Sequence, residues 1–143
     1  MKIYVASSWR NQTQPEVVEE LRAAGHDVYD FRRPEVYNKG FHWSDIDPKW
    51  QSWTPEEYKL CLNHSIAVDG FNSDFKAMKW ADVFVGVQPF GISASLEMGW
   101  AAGQGKTTIL LLAKGEPELM VKMFDHICCS LKEVIEALKG EKQ

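Results

Sequence analysis

The chain has 143 residues, 45% of them apolar and 25% charged, with a formal net charge of −4. That length suits one domain, 1–143, removing roughly two-thirds of its surface from water on folding. The negative balance and the lack of a Lys/Arg run argue against a nucleic-acid polymer as partner, and no apolar run is long enough to span a membrane. Three cysteines, Cys61, Cys128 and Cys129, show no C-x-x-C spacing, which argues against a disulfide framework or a zinc site. The opening "MKIYVASSWR" has too short an apolar stretch for a signal peptide, so a reducing, cytoplasmic location is expected.

In chain order, Lys2–Ala6 reads as a buried strand rich in Ile, Tyr and Val. Thr13, Pro15 and Glu16 mark a helix start, with Thr13 as cap, and Gly25 ends the helix after about Ala24. Asp27–Phe31 is a second strand. Arg32–Asp69 then interrupts the rhythm with a Trp-rich insertion carrying Tyr37, Phe41, Trp43, Trp50, Trp53 and Tyr58. Insertions of this length are usually functional. Its aromatics either close over a base or sugar or form a satellite core. Thr54-Pro-Glu-Glu57 predicts a short helix inside it.

A helix is expected over Asp74–Trp80 and a third strand over Asp82–Val87. Next come a helix over Ser93–Gly103, an apolar strand over Thr107–Leu112, a short helix over Pro117–Met123 and a strand over His126–Cys129. Ser130 to Glu133 reads as a capping box opening the last helix, which stops near Gly140. Alternating strands and helices predict an α/β fold: a doubly wound, flavodoxin/Rossmann-like, five-stranded parallel sheet in the order 2-1-3-4-5. Its ligands bind beyond the carboxyl ends of strands 1 and 3. Two segments meet there, Ala6–Asn11 and Gln88–Glu97.

Glu97 is placed in the first turn of its helix, where the dipole favours a carboxylate. An ionised Glu97 is fit to be a nucleophile; the plain alternative is a helpful first-turn acid. Gly91, Ser93, Ala94 and Ser95 keep the nearby backbone open to an anion such as a 5′-phosphate. Asp74 reads either as a helix cap or as a second carboxylate sharing acid–base work with Glu97. "ASSWRN", Ala6–Asn11, offers two hydroxyls, a guanidinium and an amide. Arg10 suits a phosphate bidentately, or is a surface Arg on a turn. Ser8 positions a sugar or phosphate, or caps the turn.

Other motifs fail. No G-x-G-x-x-G follows the first strand. "GQGKTT" has Trp100 where a phosphate-binding loop needs Gly, and it precedes a strand. His26, His42, His64 and His126 show no metal spacing; His42 and His64 lie in the insertion and are either ligand contacts or, as lone histidines more often are, ordinary surface or core residues.

At "IYVASSWR", "DFKAMKWADVFV" and "SLEMGWAAGQGK" the sequence resembles the nucleoside 2-deoxyribosyltransferase superfamily, which includes 2′-deoxynucleoside 5′-monophosphate N-glycosidases. "PELM", Pro117–Met120, is similar to the family's C-terminal segment. The matches cover about half the chain, in the family's order. The resemblance implies Glu97 as the nucleophile at C1′ and Asp74 as the acid that helps protonate the leaving base. It implies Tyr4, Ser8 and Arg10 as contacts to the nucleoside or its phosphate. It also implies a homodimer or higher homo-oligomer, with Glu118 and Met120 completing a neighbour's site, and no cofactor or metal. Gly91 departs from the pattern: the transferases carry an acid there and the monophosphate hydrolases a Ser. Ser93 and Ser95 are the substitutes at hand. Two alternatives stand beside glycosidic cleavage: a non-catalytic nucleotide-binding module, and TIR-like NAD cleavage on the same architecture.

Overall fold

The computed structural model describes residues 1–35 and 38–141, so Tyr37 lies outside the described residues. The element order is β1 (Lys2–Ala6), α1 (Gln14–Ala23), β2 (Asp27–Asp30), α2 (Pro55–Cys61), α3 (Ser65–Trp80), β3 (Val83–Val87), α4 (Ile92–Gly103), β4 (Thr107–Leu111), β5 (His126–Cys128) and α5 (Leu131–Glu141). Backbone contacts divide the chain into two compact units: Met1–Asp30 with Trp80–Gln143, and Phe31–Lys79.

The first unit holds the sheet, ordered β2-β1-β3-β4-β5 and parallel throughout. Successive side chains of a strand point to opposite faces, and both faces of the central strands are covered, so β3 is apolar throughout and β1 and β4 are apolar beyond their first residues, while the edge strand β2 carries an aspartate at each end. On one face Ile3, Val5, Val83, Val85, Val87, Ile109 and Leu111 pack with Val17, Val18 and Leu21 of α1 and Val134 and Leu138 of α5. Each such side chain contributes about 1.5–3 kcal/mol on leaving water. On the other face Tyr4, Phe84 and Leu110 are buried, as are Ala94, Met98 and Ala101 of α4, which packs on β1, β3 and β4.

Gly86 marks the tightest point of that second face. A Cβ there would stand 3.1 Å from Leu110 Cδ1, Met98 Cε and Phe90 Cε2. Gly86→Ala is expected to cost about 1 kcal/mol and Gly86→Val about 2–3 kcal/mol, because the neighbours must leave their rotamers. Thermal melts check this; unchanged melting of Gly86→Val would show that α4 lifts without cost.

Three helix starts differ from expectation. Thr13 makes no side-chain cap bond. Asn11 does that work: its Oδ1 accepts from Thr13 N (2.8 Å) and Gln14 N (2.9 Å). The helix expected from Asp74 begins at Ser65, and His64 Nδ1 accepts from Ile66 N at 3.1 Å in its first turn. Asp74 is therefore inside α3, not its cap. Finally, α4 begins at Ile92 with Gly91 as N-cap, so Glu97 stands in its second turn. The dipole effect fades beyond the first turn, which removes the argument from the dipole for Glu97.

The other helix signals hold more closely. Thr54 and Glu57 form the expected reciprocal capping box on α2. At α5, Ser130 Oγ accepts from Glu133 N (3.2 Å), while the Glu133 carboxylate reaches one residue further, to Cys129 N (2.6 Å). The short helix near Pro117 is a single 3-10 stretch, Leu119–Met123. No helix among the described residues is long and apolar enough to cross a membrane.

Candidate active site

In a parallel sheet all carboxyl ends lie on one rim, and the β1–β3 junction is where flanking chain diverges. Two loops leave that junction, one after Ala6 and one after Val87. They are fastened together by side chains of the first. Ser7 Oγ donates to the Val87 carbonyl (2.8 Å). Asn11 Nδ2 donates to the carbonyls of Val87 (2.9 Å) and Pro89 (3.0 Å). Asn11 is almost completely buried. It thus ties the start of α1 to the end of β3 with both faces of one amide. Sequence reasoning noted only an amide in a polar loop; the carbonyls it serves are 76 and 78 positions away.

Beside this junction Tyr4, on the α4 face of β1, donates its hydroxyl to Glu97 Oε2. Tyr4 is fully buried and its ring is stacked between Tyr29 (centroids 5.3 Å apart, 16° between planes) and Phe84 (4.9 Å, 25°). Two aromatic rings therefore hold the phenol, and the phenol holds the carboxylate. A hydrogen bond to a charged acceptor is roughly twice as strong as a neutral one, so it fixes the orientation of Glu97. Glu97 itself is half-buried. Tyr29 is the residue that sequence reasoning missed here; its position opposite Tyr4 in the β1–β2 register was the available signal.

The remaining expected residues fall in separate places. Arg10, Gly91 and Ser93 are exposed, and Ser8 is half-buried with its carbonyl accepting from Asn11 N (3.1 Å). Ser95 is exposed too, and its Oγ donates to the Gly91 carbonyl at 3.0 Å. Ser95 and Met120 both line a cavity of about 500 Å³ with Gln88, Gly99, Lys114 and Glu118. Glu118 and Met120, which the resemblance assigns to a neighbour's site, line this cavity in their own chain. Met120 is 67% exposed.

Asp74 belongs to the second unit. It lines a cavity of about 190 Å³ with Asp45, Asp69, Asn38, Phe41 and Gly70. Among the described residues no three His, Cys, Asp or Glu side chains gather as metal ligands. Burial pushes the Cys128 thiol above its usual range, with Glu133 adding to the shift, which disfavours a thiolate nucleophile. Gly105 turns α4 into β4 with a positive φ of 74°, and Lys106 Nζ donates to the Ala81 carbonyl. That glycine-lysine stretch therefore sits at the amino ends of the strands, away from the rim that holds Glu97.

No family model and no curated protein matches the chain. Solved structures do. A 2-deoxyribosyltransferase from Bacillus psychrosaccharolyticus is 21% identical, with 94% of this chain and 90% of that one covered at a TM-score of 0.63. The CMP N-glycosidase BcmB of Clostridium botulinum is 18% identical over 97% of this chain and 98% of its own, with a TM-score of 0.53. A conserved protein from Enterococcus faecalis is 15% identical over 99% and 98%, with a TM-score of 0.63. The first two are nucleoside 2-deoxyribosyltransferase-superfamily enzymes, and this chain shares their fold over nearly its full length.

Proposed function

We propose that this chain, folded as nucleoside 2-deoxyribosyltransferases are, breaks the N-glycosidic bond of a nucleoside or its 5′-monophosphate, with Glu97 as nucleophile. The observation that carries the reading is the Tyr4–Glu97 hydrogen bond beside the β1–β3 junction. A carboxylate oriented by a buried phenol, at the rim where such sheets bind ligands, suits attack on an anomeric carbon.

A Glu97 oxygen forms an ester to C1′ while the C1′–N bond breaks, and the base leaves with that electron pair and takes up a proton. Asp74 is our candidate proton donor, on the resemblance of "DFKAMKWADVFV" to the family. Water, or a second base, then attacks C1′ and gives up a proton to the Asp74 carboxylate, while the C1′–oxygen bond to Glu97 breaks and returns Glu97 as a carboxylate. Two carboxyl groups in different surroundings divide the nucleophile and acid roles. Tyr4 acts on the substrate through Glu97. Ser8, Arg10, Gly91, Ser93, Ser95 and Met120 are our candidates for substrate contacts, Arg10 for a phosphate. A homo-oligomer is part of the same reading.

The test is chromatographic base release from nucleosides, their 5′-monophosphates and NAD, with and without an acceptor base. Release supports the reading, and a new nucleoside with acceptor makes the chain a transferase. Nicotinamide release alone moves it to NAD cleavage, and no release at saturating ligand leaves a binding module. If Arg10 holds a phosphate, Arg10→Ala is expected to lower kcat/KM for monophosphates about tenfold or more and for nucleosides little. Equal losses on both would reject that role.

A further inference from the structure

The second unit contains an aromatic cavity that the glycosidic reading does not use. Trp43, Trp50, Trp53 and Tyr58 line an open space of about 390 Å³, within the usual range for small-ligand sites. The other lining residues, Gln51, Thr54 and Pro55, carry no charge. The rings are not parallel. Trp43 meets Trp53 at 81° with centroids 5.6 Å apart, and Tyr58 at 78° with centroids 5.8 Å apart.

Geometry and charge narrow what such a space accepts. A flat base or sugar is gripped between parallel faces, whereas perpendicular rings make a corner that offers π-faces and edges in several directions. A packed satellite core would bury its rings, yet Trp50 is 36% and Tyr58 52% exposed. The polar partners of the wall are carboxylates. Trp53 Nε1 donates to Asp47 Oδ2 at 2.8 Å. Glu57 Oε1 accepts from Thr54 N at 3.2 Å. A carboxylate on the indole N–H pushes electron density into the ring and deepens the negative potential of its face. Asp47 is held in its charged form below the usual carboxylate range by the Lys49 backbone N–H and then by Trp53. No lysine or arginine lines the space.

We propose that this cavity is a binding site for a small organic cation, a quaternary ammonium group held by the faces of Trp43, Trp50, Trp53 and Tyr58. Such a head presents polarised C–H groups in every direction and has no N–H donor that demands an acceptor, which suits a lining of rings. The site stands on the second unit alone and does not depend on Glu97 chemistry.

The test uses the full chain labelled with ¹⁵N. Choline and tetramethylammonium are titrated at constant ionic strength, set with sodium chloride, while the tryptophan indole N–H signals are followed. The control is the neutral carbon isostere of choline, in which a tert-butyl group replaces trimethylammonium. Saturable shifts of the Trp43 and Trp53 signals are expected with both cations, and binding at least about tenfold weaker with the isostere. Trp50→Leu is expected to weaken choline binding several-fold while the sheet residues keep their chemical shifts. Tyr58→Leu gives the same reading if Trp50→Leu does not fold. Equal binding of the isostere would overturn the proposal in favour of a merely apolar crevice. The absence of saturable shifts with either cation would overturn it in favour of a packing cluster.

Discussion

Glu97→Gln is expected to lose base release by at least ~10³-fold while melting within a few degrees of the parent chain. The amide keeps the size of the side chain and still offers an oxygen to the Tyr4 hydroxyl, so the stack of Tyr29, Tyr4 and Phe84 is undisturbed. What is lost is the negative oxygen that must bond to C1′. Tyr4→Phe is the informative companion. It removes one buried hydroxyl and leaves the ring in place, so kcat should fall about 10–100-fold with KM little changed, as for a positioning residue. Retention of full activity by Glu97→Gln would end the proposed mechanism. A Tyr4→Phe variant that changes only KM would instead place the phenol against the substrate.

The second large effect is structural. Asn11→Ala is expected to cost about 3 kcal/mol and lower the melting temperature by about 10 °C. The substitution leaves the Val87 and Pro89 carbonyls and the Thr13 and Gln14 N–H groups without their amide partner. Buried polar groups in that state cost ~1–3 kcal/mol each, partly relieved by entering water. Asn11→Asp keeps an acceptor for the helix N–H groups but sets a carboxylate oxygen against two carbonyl oxygens. It should therefore destabilise to a similar degree. A wild-type melt for Asn11→Asp would show that only the helix cap matters. A melt for Asn11→Ala within about 2 °C of the parent would show that the two loops are held by other means.

The sheet was legible because buried parallel strands are nearly continuous apolar runs bounded by turns. All five fall within a residue of their expected limits. Helix starts were harder, because several residue types compete for the same donors. Thr13 looks like a cap by type, yet Asn11 reaches the same N–H groups from two residues earlier. The helix expected from Asp74 begins at Ser65 instead and runs through Gly70, Asn72 and Ser73, residue types of low helix propensity. Glu97 is the sixth residue of α4, which starts at Ile92, and so lies in its second turn. The candidate residues were legible as types, but their partners were not. Tyr4 and Glu97 are 93 positions apart, and only the parallel pairing of β1 and β3 with α4 folded back across them brings the two side chains together.

The placement of the cysteines has a practical consequence for anyone labelling this protein. Cys128 is buried, whereas Cys129 is exposed just beyond the carboxyl end of β5. With the half-buried Cys61 exchanged for Ser, a thiol-reactive dye or surface linker would thus attach beyond the carboxyl ends of the strands. Gln104 is exposed in the α4–β4 turn, at the amino ends of the strands. Exchanging Cys129 for Ser and Gln104 for Cys then moves the tether to the far side and keeps the rim open to solution.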